Sequence, residues 1–477
     1  MSRESSTVRK LARNTGWLLL QAAGSKLLSF ALNIIVVRYL GTAGYGELSF
    51  AMAFAGFFTI LGDFGLSTYA IKEVSAEKTA APEIFGRGLA INIFFSAFIA
   101  LLLLGAGAAA GIGGRALLCI FLIGVSYLLH QTGAFLAGYF RAHEKMSLMF
   151  ATESLYRLVL LLFCWCCVLL RLGLPEMASA YMAASAVYLA VVLLLVARTL
   201  RLRPAAGLRD YAGMLRDSAP YGLSSAALIV YYNADIVMLS FFKGAGAVGV
   251  YSAAYNLYLS LGVVTSIYMG AAFPVLARLF KSSPEGIRTA YRKSLKFLLI
   301  IAVPVSFGAV LLSSEIMTFL YGREFSPAAA PFAILASVTP FFYLNAFFGH
   351  FFAAAGKIRD SFVLFCAACL LNVGLNLLLI PRYGYIGAAV STVVSETLYF
   401  ALAAVYFSRT EYHFMPWGLI ARLLFFSAVM TAVLRMFSGA GVFVLAGAGA
   451  LMYALMVLLG GVLDREDVAL IKEAFRP

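Results

Sequence analysis

Six charged side chains lie inside long apolar runs of the sequence, where a charge costs several kcal/mol unless it faces water or the interior of a helix bundle. Cations in such places can bind a phosphate-bearing substrate, whereas carboxylates can exchange a proton or bind Na⁺. We therefore take these side chains as the first candidates for substrate binding and ion coupling. They are Lys26, Asp63, Glu153, Arg157, Asp235 and Glu396.

Lys26 lies at the edge of a polar stripe on the first apolar run. Gln21, Ser25, Ser29 and Asn33 recur every four residues, and Lys26 is within about 20° of Asn33 around a helix that turns 100° per residue. Such a stripe either bonds neighbouring helices or lines a cavity, and an ammonium group beside it suits an anionic group of a substrate. We predict that Gln21, Lys26 and Asn33 bind substrate.

Glu153 and Arg157 are four residues apart, the spacing of a local ion pair on a helix. One interpretation is structural, since pairing neutralises both charges within the membrane. The other is functional, since a pair that opens would present Arg157 to a phosphate. We count Arg157 as a candidate for substrate binding and Glu153 as a candidate for ion coupling.

Three further carboxylates are candidates for ion coupling. Asp63 has hydroxyl residues one turn to either side, Asp235 follows two tyrosines, and Glu396 lies one turn after a threonine. Each carboxylate could bind a coupling ion, H⁺ or Na⁺, or could instead cap or hydrogen-bond a helix.

Two arginines near predicted span ends complete the set of candidates. Arg87 and Arg141 could receive an anionic headgroup of the substrate, or they could serve only as topology anchors.

The sequence offers no pattern for catalysis, a cofactor or a metal. It lacks the Gly-x-x-x-x-Gly-Lys-[Ser/Thr] phosphate-binding loop, so an ion gradient is the expected energy source. The histidines are scattered, and we interpret all of them as structural. The expected protein is not an enzyme. The four histidines are His130, His143, His350 and His413.

The elements that must position these residues are membrane-spanning helices. Of the 477 residues, 62% are hydrophobic and only 12% are charged, and the mean hydropathy is +0.92. A soluble domain carries about 25% charged residues, so lipid must solvate this chain, and we predict an all-α polytopic membrane protein. The fourteen predicted spans are 15–37, 47–70, 87–109, 116–139, 148–170, 177–197, 219–241, 248–272, 295–317, 329–352, 360–380, 385–407, 416–437 and 441–463.

The lysines and arginines fix the predicted orientation of these spans. Of the 36 basic residues, 27 fall on one set of alternate loops and termini and 7 on the other. This bias is the positive-inside pattern, which predicts that both termini are cytoplasmic in a bacterial inner membrane. The dispersal of the basic residues over many loops argues against a nucleic-acid partner.

A short repeat indicates an internal duplication. Gly41-x-x-x-Tyr45-Gly46-x-Leu48-Ser49 returns as Gly244-x-x-x-Val248-Gly249-x-Tyr251-Ser252 at the matching place in the second half. Because each half has six spans, we predict two lobes related by a pseudo-two-fold axis along the membrane normal, with a substrate cavity between them. The predicted division is a six-helix lobe at 1–198, a basic linker at 199–218, a second six-helix lobe at 219–408, and two more helices with a tail at 409–477.

Several motifs occur in one order along most of the chain. Those in the first half are Arg38-Tyr39-Leu40-Gly41 with Tyr45-Gly46, and Gly62-Asp63-Phe64-Gly65-Leu66. Those in the second half are Asp235 with Val248-Gly249-Val250-Tyr251, Tyr321-Gly322-Arg323-Glu324-Phe325, and Asn372 to Asn376 with Ile380-Pro381-Arg382-Tyr383-Gly384-Tyr385-Ile386-Gly387-Ala388-Ala389. With these motifs the chain resembles the polysaccharide-repeat-unit (Wzx-type) flippases of the multidrug/oligosaccharidyl-lipid/polysaccharide exporter superfamily.

This resemblance implies a function that composition and spacing do not give. It implies movement of an undecaprenyl-pyrophosphate-linked oligosaccharide to the outer leaflet by ion-coupled alternating access, with twelve core spans and two terminal ones. The expected partners are the lipid-linked oligosaccharide, membrane lipids, and a glycan polymerase or glycosyltransferases. Two alternatives remain: a multidrug exporter of the same superfamily, and a membrane scaffold for glycan assembly that transports nothing.

Overall fold

The computed structural model describes residues 3–203, 207–410, 412, 415–437, 439, 441–463 and 467. Within this part of the chain it contains α-helices and two short 3-10 helices, and no strand. An apolar chain in lipid must satisfy its backbone hydrogen bonds internally, and a helix does so within one segment. The predicted all-α fold class is confirmed.

The helices follow one another with short connections. Those of the first part of the chain are α1 (Arg3–Asp63), α2 (Leu66–Ala76), α3 (Ala81–Ala109), α4 (Gly114–Ala142), α5 (Met146–Leu169), α6 (Leu174–Ala197), α7 (Leu208–Lys243) and α8 (Ala245–Leu261). Those of the second part are α9 (Val263–Ser282), α10 (Pro284–Leu311), α11 (Ser313–Tyr321), α12 (Ala329–Ser337), α13 (Thr339–Ala354), α14 (Ile358–Ser408), α15 (Trp417–Arg435) and α16 (Val442–Leu459).

Two of the apolar segments are too long for one crossing. Lys26–Ala76 and Ile358–Ser408 each have 51 residues, which is about 76 Å of helix against a hydrocarbon core of about 30 Å. Each is divided by a glycine with positive φ, Gly41 in α1 (φ 67°) and Gly384 in α14 (φ 57°). Each segment therefore provides two spans, as the sequence predicted.

The number of spans agrees with the prediction. The described residues contain 11 helical segments long and apolar enough to cross a membrane, or 12 with the bent pair Arg323–Ser337 and Thr339–Ala354. Dividing the two 51-residue segments at their glycines gives the fourteen predicted spans. The detail differs in two places. The predicted single span 329–352 is bent by 50° close to Pro340, which lies in the first turn of α13 and cannot continue the preceding hydrogen-bond ladder. The predicted span 295–317 is divided between α10 and the short helix α11.

The first compact unit comprises Met1–Ser252 and Val373–Tyr385. In it α4 packs against α1, α3, α5 and α6, with Phe85, Phe135 and Phe140 fully buried. The two copies of the repeat also meet here. A Cβ atom on Gly46 would lie 1.8 Å from the carbonyl oxygen of Ala245, so this backbone approach requires glycine.

The second compact unit comprises Ala253–Asn372 and Ile386–Pro477. Its core is aromatic, because Phe347 and Phe351 of α13 pack against Tyr291 of α10, and Phe351 also packs against Phe407 of α14. Helix α10 contacts α9, α12, α13 and α15, so the terminal helices join this unit. The division of the chain into two six-helix lobes, a linker and a terminal pair stays a prediction.

Candidate functional site

The structure describes side chains only in the C-terminal part of the polar stripe of α1. Lys26 is exposed on the first unit and Asn33 is half-buried, while the side chain of Gln21 lies outside the described part of the structure. The Asn33 amide donates a hydrogen bond of 3.0 Å to the hydroxyl of Tyr45. Asn33 thus connects the two halves of α1 on either side of the break at Gly41.

Asp235 is the most buried of the predicted intramembrane acids, with 1% of its surface exposed. It lies on α7, and the Tyr251 hydroxyl of α8 donates a hydrogen bond to its Oδ2. The backbone N–H of Ile236 donates to Oδ1 at 2.8 Å. Both donors are neutral, so a proton or a bound cation is a suitable counter-charge for this buried carboxylate.

The sequence analysis did not count Tyr251 as a site residue, although Tyr251 belongs to one of the quoted motifs. Asp235 and Tyr251 lie 16 positions apart, on opposite sides of the turn between α7 and α8. Periodicity along one helix cannot show a contact between two helices. The usable signal was the largely apolar sequence around Tyr251, in which a buried hydroxyl needs a partner.

Glu153 and Arg157 form the ion pair that their spacing indicated, with 3.2 Å between Arg157 Nη2 and Glu153 Oε1. A third group joins them, since Nε2 of His130 on α4 lies 3.6 Å from Glu153 Oε2. The His130 ring stacks on Tyr188 of α6 at 4.8 Å between ring centroids, and Arg157 lies over the ring of Tyr156. We call these five residues the α4–α6 polar cluster.

The contacts of His130 with residues of α5 and α6 could not be predicted from the sequence. Its partner Glu153 is on the next helix, and its ring neighbours Tyr156 and Tyr188 are on α5 and α6. Arg157 retains 30% of its side-chain surface and Glu153 retains 18%. The partly exposed guanidinium can therefore contact a ligand while Glu153 and Tyr156 hold it in place.

The structure gives Asp63 a capping role. Asp63 is the last residue of α1, and its Oδ1 accepts hydrogen bonds from the backbone N–H, at 3.1 Å, and from the hydroxyl of Ser67 in the first turn of α2. The carboxylate thus satisfies donors that the start of a helix leaves unpaired. This is the capping alternative that the sequence analysis left open.

The two arginines near span ends have different surroundings. Arg87 pairs with Glu83 at 3.1 Å and lies 4.0 Å from Asp210, so it connects α3 to the start of α7. Arg141 is exposed in the last turn of α4. Of the two, Arg141 is the more exposed.

Glu396 lies in the second unit, on the second half of α14. It is 7% exposed, and the Asn345 amide of α13 donates to its Oε2 at 2.7 Å and to its backbone oxygen at 3.0 Å. The structure therefore assigns Glu396 to a different unit from the other nine predicted site residues.

No group of three or more His, Cys, Asp or Glu side chains that could hold a metal ion is found within the described residues. Several of the predicted site residues instead form hydrogen-bonded pairs or belong to the α4–α6 polar cluster. Such an arrangement can bind a charged solute or exchange a proton.

Two sequence profiles of known families together match residues 11–460 of the chain. The sequence profile of the polysaccharide biosynthesis protein family matches residues 11–280, and that of the lipid II flippase MurJ matches residues 176–460. The probable low-salt glycan biosynthesis flippase Agl15 of Haloferax volcanii is 24% identical over 42% of this chain and 44% of its own. The succinoglycan biosynthesis transport protein ExoT of Rhizobium meliloti is 25% identical over 69% of this chain and 66% of its own.

The same fold occurs in a protein of known structure. The structure of the lipid II flippase MurJ in an inward closed conformation superposes with a TM-score of 0.78 at 14% identity, covering 93% of this chain and 98% of that one. At this identity the likeness concerns the fold, whereas the two profiles concern the sequence. The chain belongs to the polysaccharide biosynthesis protein family, which agrees with the resemblance of its motifs to the Wzx-type flippases.

Proposed function

We propose that this protein moves a lipid-linked oligosaccharide from the cytoplasmic to the outer leaflet of the bacterial inner membrane. The observation that carries the proposal is the family match over residues 11–280, which contains every predicted site residue except Glu396. Two relatives, a probable glycan biosynthesis flippase and a succinoglycan biosynthesis transport protein, support the same class of cargo.

The chemistry of the cargo agrees with the charges in the first unit. We propose an undecaprenyl pyrophosphate as the lipid carrier, because a pyrophosphate needs cations, and Lys26 and Arg157 are cations within predicted spans. Arg157 is held by Glu153 and lies over Tyr156, so its guanidinium is oriented before the cargo binds. Binding by a pre-oriented group loses less side-chain entropy than binding by a mobile one.

The coupling step is assigned to Asp235. Its two donors are neutral, so binding of H⁺ or Na⁺ changes the net charge of a buried site. A change of that kind can shift the balance between two conformations, since the ion binds one of them more strongly. Alternating access driven by an ion gradient is the mechanism that follows.

Two alternative functions predict different charges within the membrane spans. A multidrug exporter for cationic compounds would favour an acidic binding cavity, whereas Lys26 and Arg157 favour an anionic cargo. A scaffold without transport would not need charged residues in its spans, which are costly there.

The test is reconstitution of the full chain in proteoliposomes that carry a fluorescent undecaprenyl-pyrophosphate oligosaccharide. We expect the cargo to become accessible to an added glycosidase or quencher at a rate that depends on protein and on an imposed H⁺ or Na⁺ gradient. A matched fluorescent phosphatidylcholine is the control and should not move. Equal movement of both lipids, or export of a cationic dye in place of the cargo, would refute the proposal.

A further inference from the structure

A cationic cavity lies in the second unit, apart from all the residues assigned above. It has a volume of about 450 Å³ and is bounded by α10, the start of α15 and the residues that follow α16. Four cationic side chains and one carboxylate are among the described residues that line it. These five are Arg292, Lys293, Lys296, Arg422 and Asp467.

The Asp467 carboxylate is an anion that the cationic side chains of the cavity already bind. Asp467 is fully buried. It forms an ion pair with Lys296, and its Oδ1 lies 3.8 Å from Lys293 Nζ. Lys293 and Lys296 retain 23% and 19% of their side-chain surface, while Arg292 and Arg422 are exposed at the rim. The cavity thus places an internal anion at its base and two arginines at its mouth.

The position of the cavity selects the kind of anion. Helices α10, α15 and α16 are all long and apolar enough to span a membrane, and the cavity lies where α10 and α15 begin and α16 ends. The positive-inside pattern predicts that this surface is cytoplasmic. Basic pockets between helices at that surface are typical binding sites for lipid phosphates.

Apolar surface for acyl chains adjoins the cavity. Leu459, at the end of α16, is 87% exposed and lies two residues before Gly461, which lines the cavity. Phe425, one turn after Arg422 on α15, is 64% exposed, and Trp417 at the start of α15 is 71% exposed. A soluble anion would make no use of these side chains, whereas a lipid would contact them with its tails and headgroup region.

We propose that this cavity binds the phosphate headgroup of an anionic glycerophospholipid, such as phosphatidylglycerol, as a site separate from that of the cargo. Arg292 and Arg422 contact the phosphate at the mouth of the cavity, Lys293 and Lys296 add positive charge beneath it, and Asp467 opposes binding. The phosphate chemistry alone would also suit inorganic phosphate or a polyprenyl pyrophosphate, so the experiment includes both.

The experiment measures quenching of Trp417 by brominated lipids. The other two tryptophans are replaced (Trp17→Phe, Trp165→Phe), and the full chain is reconstituted in phosphatidylcholine with increasing brominated phosphatidylglycerol or brominated phosphatidylcholine. We expect stronger quenching by phosphatidylglycerol at equal mole fraction. The double variant Arg292→Gln/Arg422→Gln should lower this preference by about fivefold for each cation removed.

A matched control removes the same charge elsewhere in the unit. Lys357→Gln/Arg359→Gln changes two exposed cations before and at the start of α14 on the same predicted side of the membrane, and should keep the preference. Asp467→Asn should strengthen the preference, because it removes the competing carboxylate. Folded yield is measured for each variant, so that a loss of lipid preference is interpreted only for folded protein.

Other outcomes would overturn the proposal. Equal quenching by both lipids, or an unchanged preference in Arg292→Gln/Arg422→Gln, would exclude a headgroup site. Displacement of phosphatidylglycerol by millimolar inorganic phosphate would indicate a soluble anion, and displacement by a trace of undecaprenyl pyrophosphate would assign the cavity to the cargo. Cargo flipping is measured in a separate assay, so a failure of the proposed function would leave the result on lipid binding unaffected.

Discussion

Gly46 and Gly249, the corresponding glycines of the two repeat copies, lie against each other's helix. A Cβ on Gly46 would be 1.8 Å from the carbonyl oxygen of Ala245 and 2.8 Å from the backbone nitrogen of Gly249, and a Cβ on Gly249 would be 1.8 Å from the carbonyl oxygen of Thr42. The contact is therefore reciprocal, as a pseudo-two-fold relation between the copies requires. It also fixes the start of α8, which carries Tyr251.

Replacing either glycine should disrupt this contact. Because the clashing atoms belong to the backbone, Gly46→Ala and Gly249→Ala must separate the two helices, at a cost of about 1–3 kcal/mol or more for each. The control is Gly447→Ala, since Gly447 in α16 has no other atom within 4 Å of the added methyl group. Thermal unfolding in detergent measures the effect. Equal melting temperatures for all three variants would contradict the close approach.

The fold was largely predictable from the sequence because lipid imposes strong constraints. Apolar runs must be helices, and loop charges follow the positive-inside rule. The bend before Pro340 and the separate short helix α11 were not predicted, because a hydropathy window averages over both. The glycine breaks at Gly41 and Gly384 were predictable as span boundaries, whereas their exact backbone conformation was not.

Topology provides an independent test. In a cysteine-free background, single cysteines at Gly113, Gly244 and Ser438, the last of which lies outside the described residues, should react with an impermeant thiol reagent added outside intact cells. Cysteines at Ser75, Gly207 and Ser283 should react only after permeabilisation. The reason is the distribution of basic residues between the two sets of loops and termini, 27 against 7, which follows the positive-inside rule. Labelling at Gly207 from outside would refute the predicted arrangement of the two halves.

The site was predictable only in part. The intramembrane charges could be found from hydropathy, but their partners Tyr251, His130 and Asn345 could not, because each lies on a different helix from the acid it contacts. Sequence spacing shows neighbours on one helix face and nothing about the adjacent helix. Two contacts between residues four apart could be predicted with their partners, namely that of Glu153 with Arg157 on α5 and that of Asp63 with Ser67.

Asp235→Asn should abolish the dependence of flipping on an ion gradient while leaving folded yield and cargo binding near those of the wild type. The amide oxygen of asparagine can accept from the Ile236 N–H, and its NH2 group can donate to the Tyr251 hydroxyl oxygen, so the packing is kept while the titratable charge is lost. Tyr251→Phe is the companion variant, which leaves the carboxylate in place with one donor fewer, at a cost of about 1–3 kcal/mol. Gradient-dependent flipping by Asp235→Asn would exclude Asp235 as the coupling residue.

The α4–α6 polar cluster can be tested by removing its charges singly and together. Glu153→Gln leaves the cation of Arg157 in the membrane without its carboxylate and should lower folded yield, whereas Glu153→Gln/Arg157→Gln removes both charges and should restore it. If Arg157 binds the cargo phosphate, the double variant should be folded but bind cargo weakly. Wild-type cargo binding by the folded double variant would reduce the pair to a structural role.

Lys26 provides the decisive test of cargo recognition, because the sequence places no acid three or four residues from it and the structure shows it exposed on the first unit. A charge-assisted hydrogen bond to the pyrophosphate contributes about 1.5–3 kcal/mol. Lys26→Gln should therefore weaken cargo binding roughly 10-fold to 150-fold with normal folded yield. Lys26→Arg should keep part of the affinity, because the charge remains while its geometry changes. Binding and flipping are measured in the same proteoliposomes. Unchanged binding by Lys26→Gln would eliminate the phosphate contact, and an equal fall in the folded yield of both variants would assign Lys26 to packing within the first unit.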